Sequence, residues 1–332
     1  MKRFEGPIFL VGMPRSGTKL LRDLLNNHSM IGIAPNESHF IPEFYARLKD
    51  YGALDQEANF AKFYHDLSQT PFFHRVDGNS FSNAASLYDA APERTFAGLV
   101  EEFYRSYSRS KGKVMWGDKT PFYLLHLPLC KSLFPDARFI HIIRDVRDYA
   151  LSLKKTWHKN LSRSAQRWGD AVLKCRKDGL LLGEGAYREV RYEHLVDNPE
   201  GVIRELCKFL SVPFEENMIV LQKPVEYGGD ARNRMDIVSM NYGKWRTSLS
   251  PRDIRRIEEI CGALLTDLGY DVTYKGPSRR LGAIHKRLLR LADGFALLRF
   301  ELSKGGIAEA YQNLFYSWRY SDSRTLRDGD ED

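Results

Sequence analysis

No run of about eighteen apolar residues occurs in the sequence, so nothing in it reads as a membrane-spanning helix. The opening MKRFEGPIFLVG has too short an apolar stretch for a signal peptide and no small-residue cleavage site, and a cytoplasmic location is the expectation. Cysteine is scarce. The four residues Cys130, Cys175, Cys207 and Cys261 stand apart, each among apolar neighbours and none in C-x-x-C spacing. That argues against a disulfide framework and points to reduced core cysteines. The nine histidines are scattered, none at H-E-x-x-H spacing, so no metal is expected. Repeats and low-complexity tracts are absent too, apart from the acidic end 328-DGDED-332, expected to be disordered.

What is present suffices for a substantial core: 332 residues, 43% hydrophobic and 12% aromatic, in one large domain or two smaller ones. Fifty basic and 43 acidic residues give a net charge of +7, which suits an anionic ligand, nucleic acid or an anionic membrane without choosing among them. Short apolar runs at 7–12, 113–116, 138–143 and 187–192 read as buried parallel strands separated by helical segments. The alternation argues for an α/β fold with a central parallel sheet flanked by helices. The stretch from about 40 to 111, helical and aromatic-rich, reads as an insertion where an acceptor pocket could be built. At 251–270, Pro251 opens a helix and Gly269 closes it.

The segment 8-IFLVGMPRSGTKLLRDLL-25 carries the first chemistry. A strand entering a glycine-rich turn and then a helix gathers backbone N–H groups and the positive end of the helix dipole around one point, which suits an anion. Gly12 and Gly17 have the spacing of an ATP-binding loop, but Thr18 follows and Lys19 comes one place late, about 100° around the helix. The loop's own cation is Arg15, with hydroxyls from Ser16 and Thr18.

P-R-S-G-T followed by an apolar helix resembles the 5'-phosphosulfate loop of the sulfotransferases, which use 3'-phosphoadenosine 5'-phosphosulfate (PAPS). Three further segments fall in that family's order. In 137-ARFIHIIRDVRDYALSL-153 the resemblance assigns Arg144 and Ser152 to the 3'-phosphate; Arg147 reads more readily as a salt-bridged residue on a solvated helix face. In 116-WGDKTPFYL-124, similar to bacterial and protein-tyrosine sulfotransferases, it assigns Lys119 to the sulfuryl group, with Asp118 placed to orient it. In 191-RYEHLVDNPEGVIRELCKFLSVPF-214, Tyr192 would contact the nucleotide. The stretch 235-MDIVSMNYGKWRTSLSPRDIRRIEEI-260 resembles the family's late loop, which closes over the nucleotide ahead of a final helix, marked by Trp245 with Lys244 or Arg246, although Gly243 stands where tyrosine sulfotransferases have serine. Arg232 and Arg234 are further candidates for the 3'-phosphate.

Sulfuryl transfer also needs a base opposite the leaving nucleotide. In 34-APNESHFIPEF-44, Glu37 lines up with the basic glutamate of the tyrosine sulfotransferases, and His39 is the competitor. The nucleotide-binding residues implied are thus Arg15, Ser16, Gly17, Thr18, Lys19, Arg144, Ser152, Tyr192, Lys244, Trp245 and Arg246, and the catalytic ones Glu37, Arg15 and Lys119.

The resemblance implies a three-layer fold similar to nucleotide kinases over 1–275, with a helical extension over 276–332. It implies PAPS as donor, 3'-phosphoadenosine 5'-phosphate (PAP) as product, and no nucleic-acid partner. The acceptor would be a hydroxyl of a glycan, lipid-linked molecule, small alcohol or tyrosine. A P-loop kinase or nucleotidase using ATP and magnesium, and a non-catalytic nucleotide-binding module at a membrane surface, are the competing readings.

Beyond 276 the resemblance ends. In 278–302 the apolar residues Leu281, Ile284, Leu288, Leu291 and Phe295 keep a helical stripe, with Arg279, Arg280, Lys286, Arg287 and Arg290 on other faces. Either this helix packs on the domain with a solvated basic face, or it lies on an anionic membrane. The aromatic-rich 307–320 could cover the acceptor pocket or form a homodimer contact.

Overall fold

The computed structural model describes residues 4–75, 83–224 and 233–305. These fall into two compact units: one within Met1–Asp145 and Trp168–Lys244, the other within Val146–Arg167 and Trp245–Asp332.

The first unit is built on a five-stranded sheet: β1 (Ile8–Gly12), β2 (Ile31–Ile33), β3 (Met115–Asp118), β4 (Arg138–Ile143) and β5 (Tyr187–Arg191). All neighbours pair in parallel, in the order β2-β3-β1-β4-β5. The four apolar runs became β1, β3, β4 and β5. Only β2, three residues long, lacked a signal of its own.

The strands β1 to β4 are buried almost throughout because both faces are covered, whereas the edge strand β5 alternates between buried and more open positions. Successive side chains alternate, so Ile8 and Leu10 of β1 point one way, into a core with Leu21, Leu24 and Leu25 of helix α1 (Thr18–Asn26). Phe9 points the other way, stacking on Phe139 at 5.3 Å and meeting Tyr123 edge-on at 6.1 Å. The insertion is helical, from Phe40–Ala46 to Phe96–Ser110, and an aromatic cluster of Phe40, Phe72, Phe103 and Tyr104 holds it together. All four cysteines are buried free thiols, and His141 is a core residue whose Nδ1 lies 2.6 Å from the Tyr187 hydroxyl.

Chain order reverses at β1, since the chain leaves it for β2 on one side and β4 lies on the other. In open parallel sheets, the carboxyl ends of strands at such a switch point form the ligand crevice. Five loops or turns therefore leave along one edge, carrying Arg15 after β1, Glu37 after β2, Lys119 after β3, Arg144 after β4 and Tyr192 after β5.

The second unit contains the helices Val146–Trp157, Pro251–Asp267 and Ala283–Gly305. Its centre is a buried ion pair: Arg147 Nη1 donates to Glu258 Oε1 at 2.7 Å, with side chains 2% and 0% exposed. Glu258 Oε2 also accepts the Thr273 and Tyr274 amides and the Thr273 hydroxyl. Arg147 thus lies in a core, where the sequence placed it on a solvated face. A guanidinium is buried here because its donors reach Glu258 and the Asp271 carbonyl, and its plane lies 3.8 Å from the Trp245 ring centroid.

Candidate active site

The turn after β1 has the backbone its sequence demands. Gly12 (φ 153°) and Gly17 (φ 91°) use positive φ, and Arg15 between them adopts φ 68°. A Cβ on Gly17 would sit 2.5 Å from the Tyr192 ring, so the turn and Tyr192 fit only because that position lacks a side chain. Gly17 leads directly into α1, whose first turn takes no side-chain cap.

The Ser16 hydroxyl oxygen is buried and has no hydrogen-bond partner among the described residues. Burying such a group without a partner costs about 1–3 kcal/mol, so it suits a ligand atom at the turn. Arg144 closes the turn from the side: its Nη1 donates to the Arg15 carbonyl at 3.0 Å, its Nη2 to the Asn241 carbonyl at 3.2 Å, and its plane lies 4.5 Å from the Tyr192 ring centroid. Its Nε is buried without a partner among the described residues, a second donor left for an acceptor. Tyr192 opens the short helix Tyr192–Asp197, and its hydroxyl accepts from Asn241 Nδ2 at 2.9 Å. These residues fit a phosphate-bearing ligand through hydroxyl, guanidinium and backbone donors.

Lys119 and Glu37 meet on the same edge. Lys119 Nζ donates to Glu37 Oε1 at 2.9 Å, and His39 Nε2 lies 3.2 Å from Glu37 Oε2, so both carboxylate oxygens are engaged. Lys119 is 1% exposed and Glu37 about a third. Burial works against the charge on Glu37, but the His39 hydrogen bond and the charge and hydrogen bond of Lys119 outweigh it and hold the carboxyl at about 2. Burial also pulls the Lys119 ammonium below the usual lysine value, opposed by Glu37 and reinforced by the positive charges of Arg22 and Lys19. Lys19, a residue late for an ATP loop, therefore adds positive potential near Lys119.

The glutamate's position is fixed by residues that the motifs did not single out. The Ser38 amide donates to Thr120 Oγ1 at 2.8 Å, the Ser38 hydroxyl lies 2.7 Å from Tyr123 OH, and the Ile41 amide donates to the same hydroxyl at 3.1 Å. The loop after β2 is thereby pinned to the end of β3, and Arg22 holds it from below through the Pro35 carbonyl. His39 caps the helix Phe40–Ala46 with φ 57°, a left-handed conformation that turns its ring back toward Glu37. Asp118 does not orient Lys119 by hydrogen bond: its Oδ2 accepts from Tyr104 OH at 2.7 Å, which anchors the inserted helix Phe96–Ser110 to β3.

Lys244 belongs to the first unit and donates to Asn241 Oδ1. Arg234 forms an exposed pair with Asp236 at 2.6 Å, and Arg232 lies outside the described residues. Ser152, Trp245 and Arg246 belong to the second unit. There the Trp245 amide donates to Asp148 Oδ1 at 3.0 Å and its ring lies between Arg147 and Arg246, at 3.8 and 4.4 Å. Among the described residues no group of three or more His, Cys, Asp or Glu side chains could hold a metal ion.

Known proteins resemble this chain in sequence and in fold. The sequence pattern of the sulfotransferase family matches residues 7–216. The nodulation protein NoeE of Sinorhizobium fredii is 27% identical, the match covering 93% of this chain and 72% of that protein. Protein-tyrosine sulfotransferase A of Caenorhabditis elegans is 24% identical over 82% of this chain and 69% of its own length. Among solved structures, the sulfotransferase domain from the curacin biosynthetic pathway superposes with a TM-score of 0.54 at 21% identity, covering 82% of this chain and all of that one. The domain from the Synechococcus PCC 7002 olefin synthase gives 0.53 at 22% identity, over 82% and 97%. The fold is the one these domains share, and with the family pattern spanning the phosphate turn, the lysine strand and the Tyr192 segment, this chain belongs to the sulfotransferase family.

Proposed function

We propose that this chain, a sulfotransferase that draws on PAPS, passes the sulfuryl group in line to an acceptor hydroxyl, with Glu37 as base and Arg15 and Lys119 neutralising the transferred group. The observation that carries the reading is the 2.9 Å contact of Lys119 and Glu37 on the sheet edge that also carries the phosphate turn. When bound, PAPS supplies a sulfuryl group on a phosphate leaving group. The turn's amides, with Ser16, Gly17, Thr18 and Lys19, hold the 5'-phosphate, and Arg144 with Tyr192 serves the nucleotide's other end. Ser152, Lys244, Trp245 and Arg246 keep the nucleotide-contact roles that the resemblance gives them.

Glu37 needs a basic lone pair aimed at the acceptor, yet each of its oxygens already takes a hydrogen bond, which lowers its basicity. Lys119 is the partner with an alternative, because its ammonium can turn to the group in transfer, beside the bridging oxygen that takes the electron pair and the negative charge as its bond to sulfur breaks. Oε1 is then open to take the hydroxyl proton, while His39 keeps Oε2 oriented. His39 thereby aims the base, and Glu37 is the base.

Thermal stabilisation tests the donor class. At a hundred times its dissociation constant, PAP should stabilise the fold by about 2.7 kcal/mol, and ATP with magnesium should not match it. Stabilisation by ATP and magnesium alone would overturn the reading.

A further inference from the structure

The helix Ala283–Gly305 turns its apolar stripe outward. Ile284, Leu288, Leu291, Phe295 and Leu298 follow at steps of four, three, four and three residues, which keeps them on one face. They are 74, 58, 61, 70 and 37% exposed. The docked side is a polar one. Asp293 is 4% exposed; its Oδ1 accepts the Asn160 amide and its Oδ2 accepts Arg163 Nη1, each at 2.7 Å. At about 100° per residue, Asp293 lies opposite Ile284, so a buried ion pair within the second unit fixes which way the stripe faces. Rolling the helix to bury the stripe would strand that carboxylate. A helix on a globular protein ordinarily buries its apolar stripe, and large apolar side chains exposed in a row mark a surface that something covers.

Charge selects what covers it. The exposed charged side chains along 279–299 are Arg279, Arg280, Arg287, Arg290 and Arg299, all basic, and the one acid there, Asp293, is buried. Arg287 and Arg299 flank the stripe, each about 60° from its centre. Two copies meeting through this face would set one basic row against another, with no exposed acid within 279–299 to answer it. A surface that is apolar within and anionic at its rim answers both features. No helix of the described residues is long and apolar enough to cross a membrane, so the helix would lie on the surface. We infer that the helix Ala283–Gly305 is a peripheral docking surface for an anionic lipid bilayer, seated through Ile284, Leu288, Leu291 and Phe295 with Arg287 and Arg299 among the head groups.

Vesicle flotation of the full chain tests this. The protein should float with phosphatidylcholine vesicles doped with phosphatidylglycerol, stay behind with pure phosphatidylcholine, and lose binding as salt rises. Leu288→Asp combined with Phe295→Asp should weaken binding at least tenfold, with PAP affinity unchanged as the control for folding. Arg287→Gln and Arg299→Gln should each weaken it about fivefold. Carbene footprinting should find Leu288, Leu291 and Phe295 open in free protein and covered on anionic vesicles. Absence of flotation, equal flotation with both vesicle types, or indifference to these substitutions overturns the inference. Protection of the stripe without vesicles also overturns it, and light scattering then assigns the cover to a second copy if the protein is dimeric, or to the chain's own 306–332 if it is monomeric.

Discussion

Replacing Lys119 by methionine separates catalysis from stability more sharply than any other single change. The ammonium is 1% exposed and paired with Glu37. Removing one partner of a fully buried pair costs about 3–5 kcal/mol. Glu37 is about a third open to water and keeps His39 on its other oxygen, which discounts that figure to about 1–2 kcal/mol. Lysine's own burial, which depresses its basicity, is relieved at the same time. A melting temperature lower by about 2–6 °C is the expected result. Transfer from radiolabelled PAPS to an acceptor found by screening should instead fall by about 10²–10³, the usual loss when one group stabilising transition-state charge is removed. PAP affinity, which rests on the turn after β1 and on Arg144, should stay within about threefold. Transfer within tenfold of the unmodified protein would refute the role given to Lys119. Collapse of PAP binding would show that the residue serves the nucleotide site as a whole.

Gly17→Ala adds a methyl 2.5 Å from the Tyr192 ring at a φ of 91°. The left-handed backbone alone costs about 1–2 kcal/mol; PAP binding by calorimetry should weaken about tenfold or more, and unchanged affinity would contradict the fit described for this turn. Arg147→Met leaves Glu258 charged at 0% exposure, a loss of about 3–5 kcal/mol that scanning calorimetry should register as a drop of about 10 °C. A shift within experimental error would mean that the buried pair contributes nothing.

The sheet was legible because β1, β3 and β4 are buried almost throughout, and mainly apolar runs such as 138–143 leave few alternatives to a parallel strand. β2 was not, since Ile31–Ile33 offers three residues and no period to detect. The motif residues Arg15, Lys119, Arg144 and Tyr192 all follow strand ends on one edge of the sheet. The contacts between motifs were invisible. Nothing local says that Thr120 and Tyr123 grip Ser38, or that Lys119 rests on Glu37 and not beside Asp118, because those bonds span about 80 residues and depend on β3 inserting between β1 and β2. Arg147 misled for the same reason. Its partner Glu258 is 111 positions away, while the acids beside it in sequence suggested an exposed helix. In 278–302 the stripe was plain, but its direction depends on the Asp293–Arg163 pair, which periodicity cannot see.

The role of Glu37 is tested most directly by the pH dependence of single-turnover transfer with PAPS saturating, compared between the unmodified protein and Glu37→Gln. In the free protein the carboxyl is held at about 2, so it stays ionised throughout any practical range. Once Lys119 turns to the sulfuryl group, two of the causes that lower that value are gone while burial still raises it. The value climbs, and the rate should fall as pH drops through it. Glu37→Gln should run about 10²–10⁴ slower and lack that acid limb. Equal rates in the two proteins, or the same limb in both, would contradict the assignment of Glu37 as the base.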